Sequence, residues 1–197
     1  VPGVVDGMLK ALEEYGSLPL EQVIQPAIEL AREGYRLSYK QAEDLNRYAR
    51  FFRKYEGSAN YFIQNDTPKK WKEGDLFPQP DLAGTLQRVA DHGRSGFYEG
   101  ETANLLVKEI EEQGGIISHE DLQRYESVWR DPVKASFHGY DLYIMPPPSS
   151  GSIAIAQILE MLQPYNLQDM GFNSAEYVHL LTEAMRRAFA DRAHFLG

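Results

Sequence analysis

Three consecutive prolines, Pro146-Pro147-Pro148, constrain this chain more than any other stretch. Each ring fixes φ at about −65° and removes a backbone N–H, so the segment can neither continue a helix nor sit inside a sheet. An extended run close to polyproline II is the expectation. Ser149-Ser150-Gly151-Ser152 follows as a small-residue turn, and Ile153-Ala154-Ile155-Ala156-Gln157-Ile158-Leu159 then has helical composition. With a strand from Tyr140 to Met145 in front, the stretch reads as strand, corner and helix. Ser150 or Ser152 is the expected N-cap of that helix. A rigid corner carrying hydroxyls and free N–H groups can shape the wall of a cleft, which makes Ser149, Ser150 and Gly151 the candidate substrate-facing residues.

The corner closes the one stretch with a period of two. Val133, Ala135 and Phe137 alternate with Lys134, Ser136 and His138, and Tyr140, Leu142 and Ile144 repeat the spacing beyond His138-Gly139. A β-hairpin is therefore predicted within residues 128–145.

Residues 1–127 read as mainly helical. Val4 to Tyr15 is predicted as a helix with Val4, Met8, Leu9 and Leu12 on its inner side and Gly16 at positive φ after it. Glu21 to Arg32 is a second, built on Val23, Ile24, Ile28, Leu30 and Ala31. Pro26 either opens it near Gln25 or interrupts a longer helix. Ser38 opens a third, to about Arg53. Tyr55 to Pro80 reads as a long surface excursion with an extended piece at Tyr61-Phe62-Ile63, and Lys69-Lys70-Trp71-Lys72 as a solvated basic turn. Asp81 is the expected cap of a helix to His92 through Leu82, Leu86 and Val89. A turn at Gly96-Phe97-Tyr98-Glu99-Gly100 leads to a helix from Glu101 to Gln113 with Leu105, Leu106, Val107 and Ile110 inside. Ser118-His119-Glu120-Asp121 is a capping box before a short helix. After the corner come the helix to Leu162, a loop over Asn166 to Asn173, and a helix capped by Ser174. That last helix runs to about Phe195 with Val178, Leu181, Met185, Ala188 and Phe189 inward. The fold class is α+β and helix-rich. The 197 residues form one fragment, helical over 1–127, with hairpin, corner and helices over 128–197.

The chemistry-bearing residues form no constellation. His92, His119, His138, His179 and His194 have no metal-binding spacing, and His179 and His194 stand about four helical turns apart. No GxSxG elbow supplies Ser149, Ser150 or Ser152 with a base. No metal or cofactor is expected. A formal net charge of −9 argues against nucleic acid as a partner. No apolar run reaches the roughly 20 residues of a membrane span. Cysteine is absent, so disulfides are excluded. The opening Val1-Pro2-Gly3, without Met or signal peptide, reads as a segment of a longer polypeptide.

Several motifs occur in one order: Val1-Pro2-Gly3-Val4-Val5-Asp6-Gly7, the long run from Gly16-Ser17-Leu18-Pro19 through Gln25-Pro26-Ala27 to Glu33-Gly34-Tyr35, Gly96-Phe97-Tyr98-Glu99-Gly100, Gly114-Gly115-Ile116-Ile117, the proline–serine corner, and Ala190-Asp191-Arg192 before Phe195-Leu196-Gly197. In this order and over its whole length the chain resembles the large subunit of the γ-glutamyltransferase (glutathione hydrolase) family. The resemblance implies an N-terminal-nucleophile hydrolase fold, a four-layer α/β/β/α sandwich. It also implies a precursor that cleaves itself, a small-subunit partner whose N-terminal threonine attacks, γ-glutamyl small-molecule or peptide substrates, and a periplasmic or secreted location. No catalytic residue of that family carries over to this sequence. The family's corner ends Ser-Ser-Gly-Gly, whereas Ser152 stands here in place of the second glycine. The rival expectations are a cephalosporin acylase or poly-γ-glutamate-processing enzyme on the same fold, and a free-standing helical binding module. A fragment of a sandwich is expected to expose apolar faces and self-associate through them.

Overall fold

Helix-capping signals and a single period-two stretch account for most of the architecture. The computed structural model describes residues 2–64 and 70–196, in two compact units that divide between Val128 and Trp129.

In the first unit, α1 (Val4–Tyr15) ends at Gly16, and α2 (Leu20–Glu33) ends at Gly34. The expected positive φ at Gly16 is not found. Its φ is −73°, and glycine is needed because a Cβ would lie 2.3 Å from the Leu12 carbonyl oxygen. Gly34, at φ 83°, is the position that does require the left-handed region. Pro26 lies inside α2, which is therefore the longer of the two predicted helices.

β1 (Tyr35–Arg36) and α3 (Tyr39–Phe52) follow. Ser38 accepts from the Gln41 N–H while the Gln41 side chain accepts from the Ser38 N–H, a complete capping box. The predicted surface excursion is largely structured. α4 (Glu56–Phe62) replaces the extended piece expected at Tyr61-Phe62-Ile63, and β2 (Leu76–Phe77) pairs antiparallel with β1. Phe77 is the reason. It is buried with Leu37 and Ala42, stacks on Phe62 at 6.2 Å and meets Trp71 edge-on at 5.3 Å. Asn46 receives the Trp71 N–H and donates to the Trp71 carbonyl, and the indole N–H donates to the Phe62 carbonyl. Trp71 is thus pinned, not a member of a solvated turn; Lys69 of that predicted turn lies outside the described residues.

α5 (Pro80–His92) starts one residue earlier than expected, with Gln79 in the cap position and Pro80 at its first turn, where the missing N–H costs nothing. Asp81 sits inside that first turn and is not the cap. The Gly96–Gly100 turn contains one helical turn, α6 (Ser95–Tyr98), before α7 (Gly100–Glu112) and the capped α8 (His119–Arg124). Tyr98, Ala103, Val107 and Leu122 form the core here, with Val5, Phe97, Ile117 and Tyr125 against them.

Over this core lies a polar knot. Arg94 donates through Nε to the Asp6 carboxylate at 2.9 Å and through Nη2 to the Gln123 and Tyr125 carbonyls, and its guanidinium lies 4.7 Å over the Tyr98 ring. The Ser127 N–H donates to Asp6 at 2.7 Å. The Tyr98 hydroxyl donates to the Pro2 carbonyl and accepts from the Asp6 N–H. Burial pushes the Asp6 carboxyl up, but the bonds from Ser127 and Arg94 outweigh it and hold the group below its ordinary value.

The second unit holds the predicted hairpin. β3 (Val133–Phe137) and β4 (Tyr140–Ile144) pair from Val133↔Ile144 to Phe137↔Tyr140. His138 and Gly139, at φ 46° and 86°, make the two-residue turn that matches strand twist. α9 (Gly151–Leu162) packs on β3 and on α11 (Ala175–Phe195), whose cap Ser174 accepts from the Tyr177 N–H. The predicted 166–173 loop contains one helical turn, α10 (Leu167–Met170).

The inner faces match the expected ones only in part. Val4, Met8, Val23, Leu30, Leu82, Leu105, Val178, Met185 and Phe189 are all exposed. On α11 the fully buried residues are Ala184 and the expected Ala188, and the helix packs on α9. Ile28, Ala31, Val89, Val107 and Ala188 are buried as expected, so each of these stripes is met at its centre while its flanking apolar residues face solvent.

Replacing Asp6 by Asn is expected to lower stability by about 1.5–3 kcal/mol at neutral pH, because two charge-assisted hydrogen bonds lose their charge. The depressed acid contributes above the ordinary carboxyl range, and its contribution is lost as pH falls through the native value. The gap between wild type and Asp6→Asn in urea denaturation should therefore narrow on acidification. An equal gap at pH 7 and below the carboxyl range would contradict this.

Candidate functional site

The corner is tighter than a polyproline run. The Pro147–Pro148 peptide bond is cis, and the Ser149 N–H closes a turn onto the Pro146 carbonyl at 3.2 Å. The chain bends there instead of continuing extended. Ser150 then occupies the cap position of α9 with φ −75° and ψ −11°, already helical backbone. A hydroxyl cap requires extended backbone, so neither Ser150 nor Ser152 caps the helix by its side chain. Ser152 is 1% exposed inside the first turn and donates to the Ser149 carbonyl. It is not among the positive-φ residues, so serine meets no backbone penalty at this position.

With capping excluded, the Ser150 hydroxyl has another partner. Arg192 of α11 donates through Nε to Ser150 Oγ at 2.7 Å. About two turns farther along α9, the Gln157 amide donates to Asp191, the neighbour of Arg192, at 2.9 Å. Successive residues of the Ala190-Asp191-Arg192 motif therefore hold two points of α9. Gln157, Glu160, Met161, Arg187 and Asp191 line an open depression of about 480 Å³ beside these contacts. Arg187 and Arg186 both bind the Glu183 carboxylate, and their hydrogen bonds push its pKa down to about 2. These two cations are already engaged.

Ser149, Ser150 and Gly151 are adjacent by sequence, and the structure brings Arg192 to them. A Cβ at Gly151 would make ordinary contact with Ser149 Oγ at 3.5 Å, so space alone does not demand glycine. A guanidinium donates and cannot accept a proton, so Arg192 can orient or polarise Ser150 but cannot serve as its base. Among the described residues no histidine is hydrogen-bonded to these serines: His119 Nε2 lies 2.9 Å from the Asn104 amide oxygen, and the His138 backbone N–H donates to Gln163. Among the described residues, no cluster of His, Cys, Asp or Glu could hold a metal ion. What the site offers is a fixed hydroxyl beside a fixed positive charge. Residue reading missed Arg192, Asp191 and Gln157 as parts of the corner. The Ala-Asp-Arg motif was visible, but nothing local ties it to a serine 42 positions earlier.

A family model described as gamma-glutamyltranspeptidase matches residues 1–197. The glutathione hydrolase proenzyme of Escherichia coli K12 is 40% identical over 197 residues, covering 100% of this chain and 34% of that protein. An acylase ACY 1 proenzyme of Pseudomonas sp. V22 is 36% identical over 98% of this chain and 34% of its own length. The solved gamma-glutamyltranspeptidase of Helicobacter pylori superposes with a TM-score of 0.95 at 43% identity, over 100% of this chain and 56% of that one. The chain thus spans about a third of the length of the curated relatives it matches.

A double-mutant cycle on Ser150→Ala and Arg192→Ala should give a coupling of about 0.5–1.5 kcal/mol in stability, the net worth of a typical side-chain hydrogen bond. Additive effects would mean that the 2.7 Å contact carries no energy.

Proposed function

The chain belongs to the gamma-glutamyltranspeptidase family, and from that premise we propose that it forms the large-subunit portion of an enzyme that cleaves γ-glutamyl amides such as glutathione and passes the glutamyl group to water or to an amino acid. The match along the whole chain carries this reading. In it, the attacking group comes from the small subunit of the same precursor, and the corner hydroxyls of Ser150 and Ser152 fit this reading, since they bond to Arg192 and to a backbone carbonyl and not to a side-chain base. The chain contributes scaffold. The β3–β4 hairpin with α9 and α11 supplies part of the sheet and helix layers of an α/β/β/α sandwich, an arrangement supported by hairpin residues Val133, Ala135, Phe137, Leu142 and Ile144 being half-buried on one face. Ser149, Ser150 and Gly151 form a wall of the substrate cleft. Arg192 holds that wall in place through the Ser150 hydroxyl.

The test is cleavage of a γ-glutamyl anilide by this chain alone and by the full precursor. Turnover is expected only from the precursor. Release of aniline by the isolated chain, or an acyl group bound to any of its side chains, would place the nucleophile here and overturn the reading. In the processed enzyme, Arg192→Ala is expected to lower kcat/KM roughly tenfold, equivalent to about 1.4 kcal/mol of misplaced wall. Unchanged kcat/KM would remove the corner from the cleft and leave the family assignment untouched.

A further inference from the structure

Residues 47–55, Arg-Tyr-Ala-Arg-Phe-Phe-Arg-Lys-Tyr, hold four basic and no acidic residues in a chain of net charge −9. They form the second half of α3 and the three residues after it. One face of this helix is accounted for: Ala42 is buried, Leu45 packs against the Phe77 cluster, and Phe52 meets Phe62. The flank of the helix beyond Tyr48 and the three residues after it are not. Tyr48, Phe51 and Tyr55 are all exposed, interleaved with exposed Arg50, Arg53 and Lys54.

Two observations set this surface apart. Arg47, with Lys40, is engaged by Glu43 and Asp44, yet among the described residues no carboxylate pairs with Arg50, Arg53 or Lys54. The Phe51 ring also lies beneath two of these cations, with Arg50 at 4.6 Å and Lys54 at 5.5 Å from its centroid, and beside Tyr48 at 6.2 Å. Cations in a last helical turn complement the helix dipole, which explains their charge. It does not explain why aromatic rings stand among them on the solvent side.

We infer that residues 48–55 form a docking surface for an acidic polypeptide segment, an extended stretch bearing several carboxylates. The inference is independent of the proposed function. Charge complementarity selects the occupant: Arg50 and Arg53 present forked donors that match carboxylates, Lys54 adds a third charge, and the Tyr48 and Tyr55 hydroxyls can donate at the margins. The rings give the bound backbone an apolar bed. A single flexible chain can touch this patch alone. A bilayer or a nucleic-acid duplex would present an extended anionic surface to a molecule that is otherwise acidic.

The test is binding of fluorescein-labelled poly-L-glutamate to the purified protein, followed by anisotropy at low salt and at physiological salt. Binding that weakens as salt rises is expected, because exposed pairs are screened. The Arg50→Gln/Arg53→Gln/Lys54→Gln variant should lose affinity roughly tenfold or more, and Phe51→Ala a smaller factor, with circular dichroism confirming an intact helix content. Lys70→Gln/Lys72→Gln, changing basic residues outside the patch, should bind as wild type. If the triple variant fails to fold, the three single variants read the same loss in parts. No binding, undiminished binding by the cation variants, or equal loss in the Lys70/Lys72 variant overturns the proposal. Tighter binding to phosphatidylglycerol vesicles or to duplex DNA than to poly-L-glutamate overturns it as well.

Discussion

Arg94 is the contact on which the first unit depends. A guanidinium only one-third exposed must spend its donors well, since a charge taken from water without partners is costly. Here Nε goes to Asp6, Nη2 goes to the Gln123 and Tyr125 carbonyls, and the flat face covers Tyr98. One side chain thereby ties the start of α1 to the end of α8 and the residue after it. Asp6 completes the link by accepting from the Ser127 N–H, and Tyr98 by reaching Pro2. Gly3 belongs to the same arrangement. A Cβ there would fall 2.1 Å from the Tyr125 hydroxyl, so any larger residue at this position would push the Tyr125 ring out of its place against Tyr98.

The second unit uses an arginine differently. Arg192 is exposed, and its bond to Ser150 links the start of α9 to α11, two helices that pack together and bury the small residues Ala154, Ala184 and Ala188. Small residues bring the backbones close and leave little apolar surface to specify a register. The polar pairs Arg192–Ser150 and Gln157–Asp191 add direction where packing supplies mostly proximity. The corner is consequently held from three sides: by its own Ser149–Pro146 bond, by Ser152 beneath it, and by α11.

This arrangement bears on chemistry. A serine fixed by a permanent cation is suited to holding or orienting an anionic or carbonyl oxygen, and unsuited to attack, which needs a proton acceptor. The glutathione hydrolase and acylase proenzymes that this chain matches are about three times its length. The exposed apolar residues of α1 and α11, among them Val4, Met8, Val178 and Phe189, are surfaces that neither unit covers by itself.

Structure set by bonds between residues a few positions apart was legible in the amino-acid sequence. The capping boxes at Ser38 and Ser118, the Ser174 cap, the His138-Gly139 turn and the order of the principal helices all depend on such short spans. The tertiary structure alone decided which face of each helix is buried, why the segment around Trp71 is ordered, and how the proline corner bends. Trp71 is held by Asn46, 25 positions away, and Ser150 by Arg192, 42 positions away. A periodic pattern states that a helix has an inner side, but that side is fixed by whatever packs against it, and local spacing carries no record of a partner so distant along the chain.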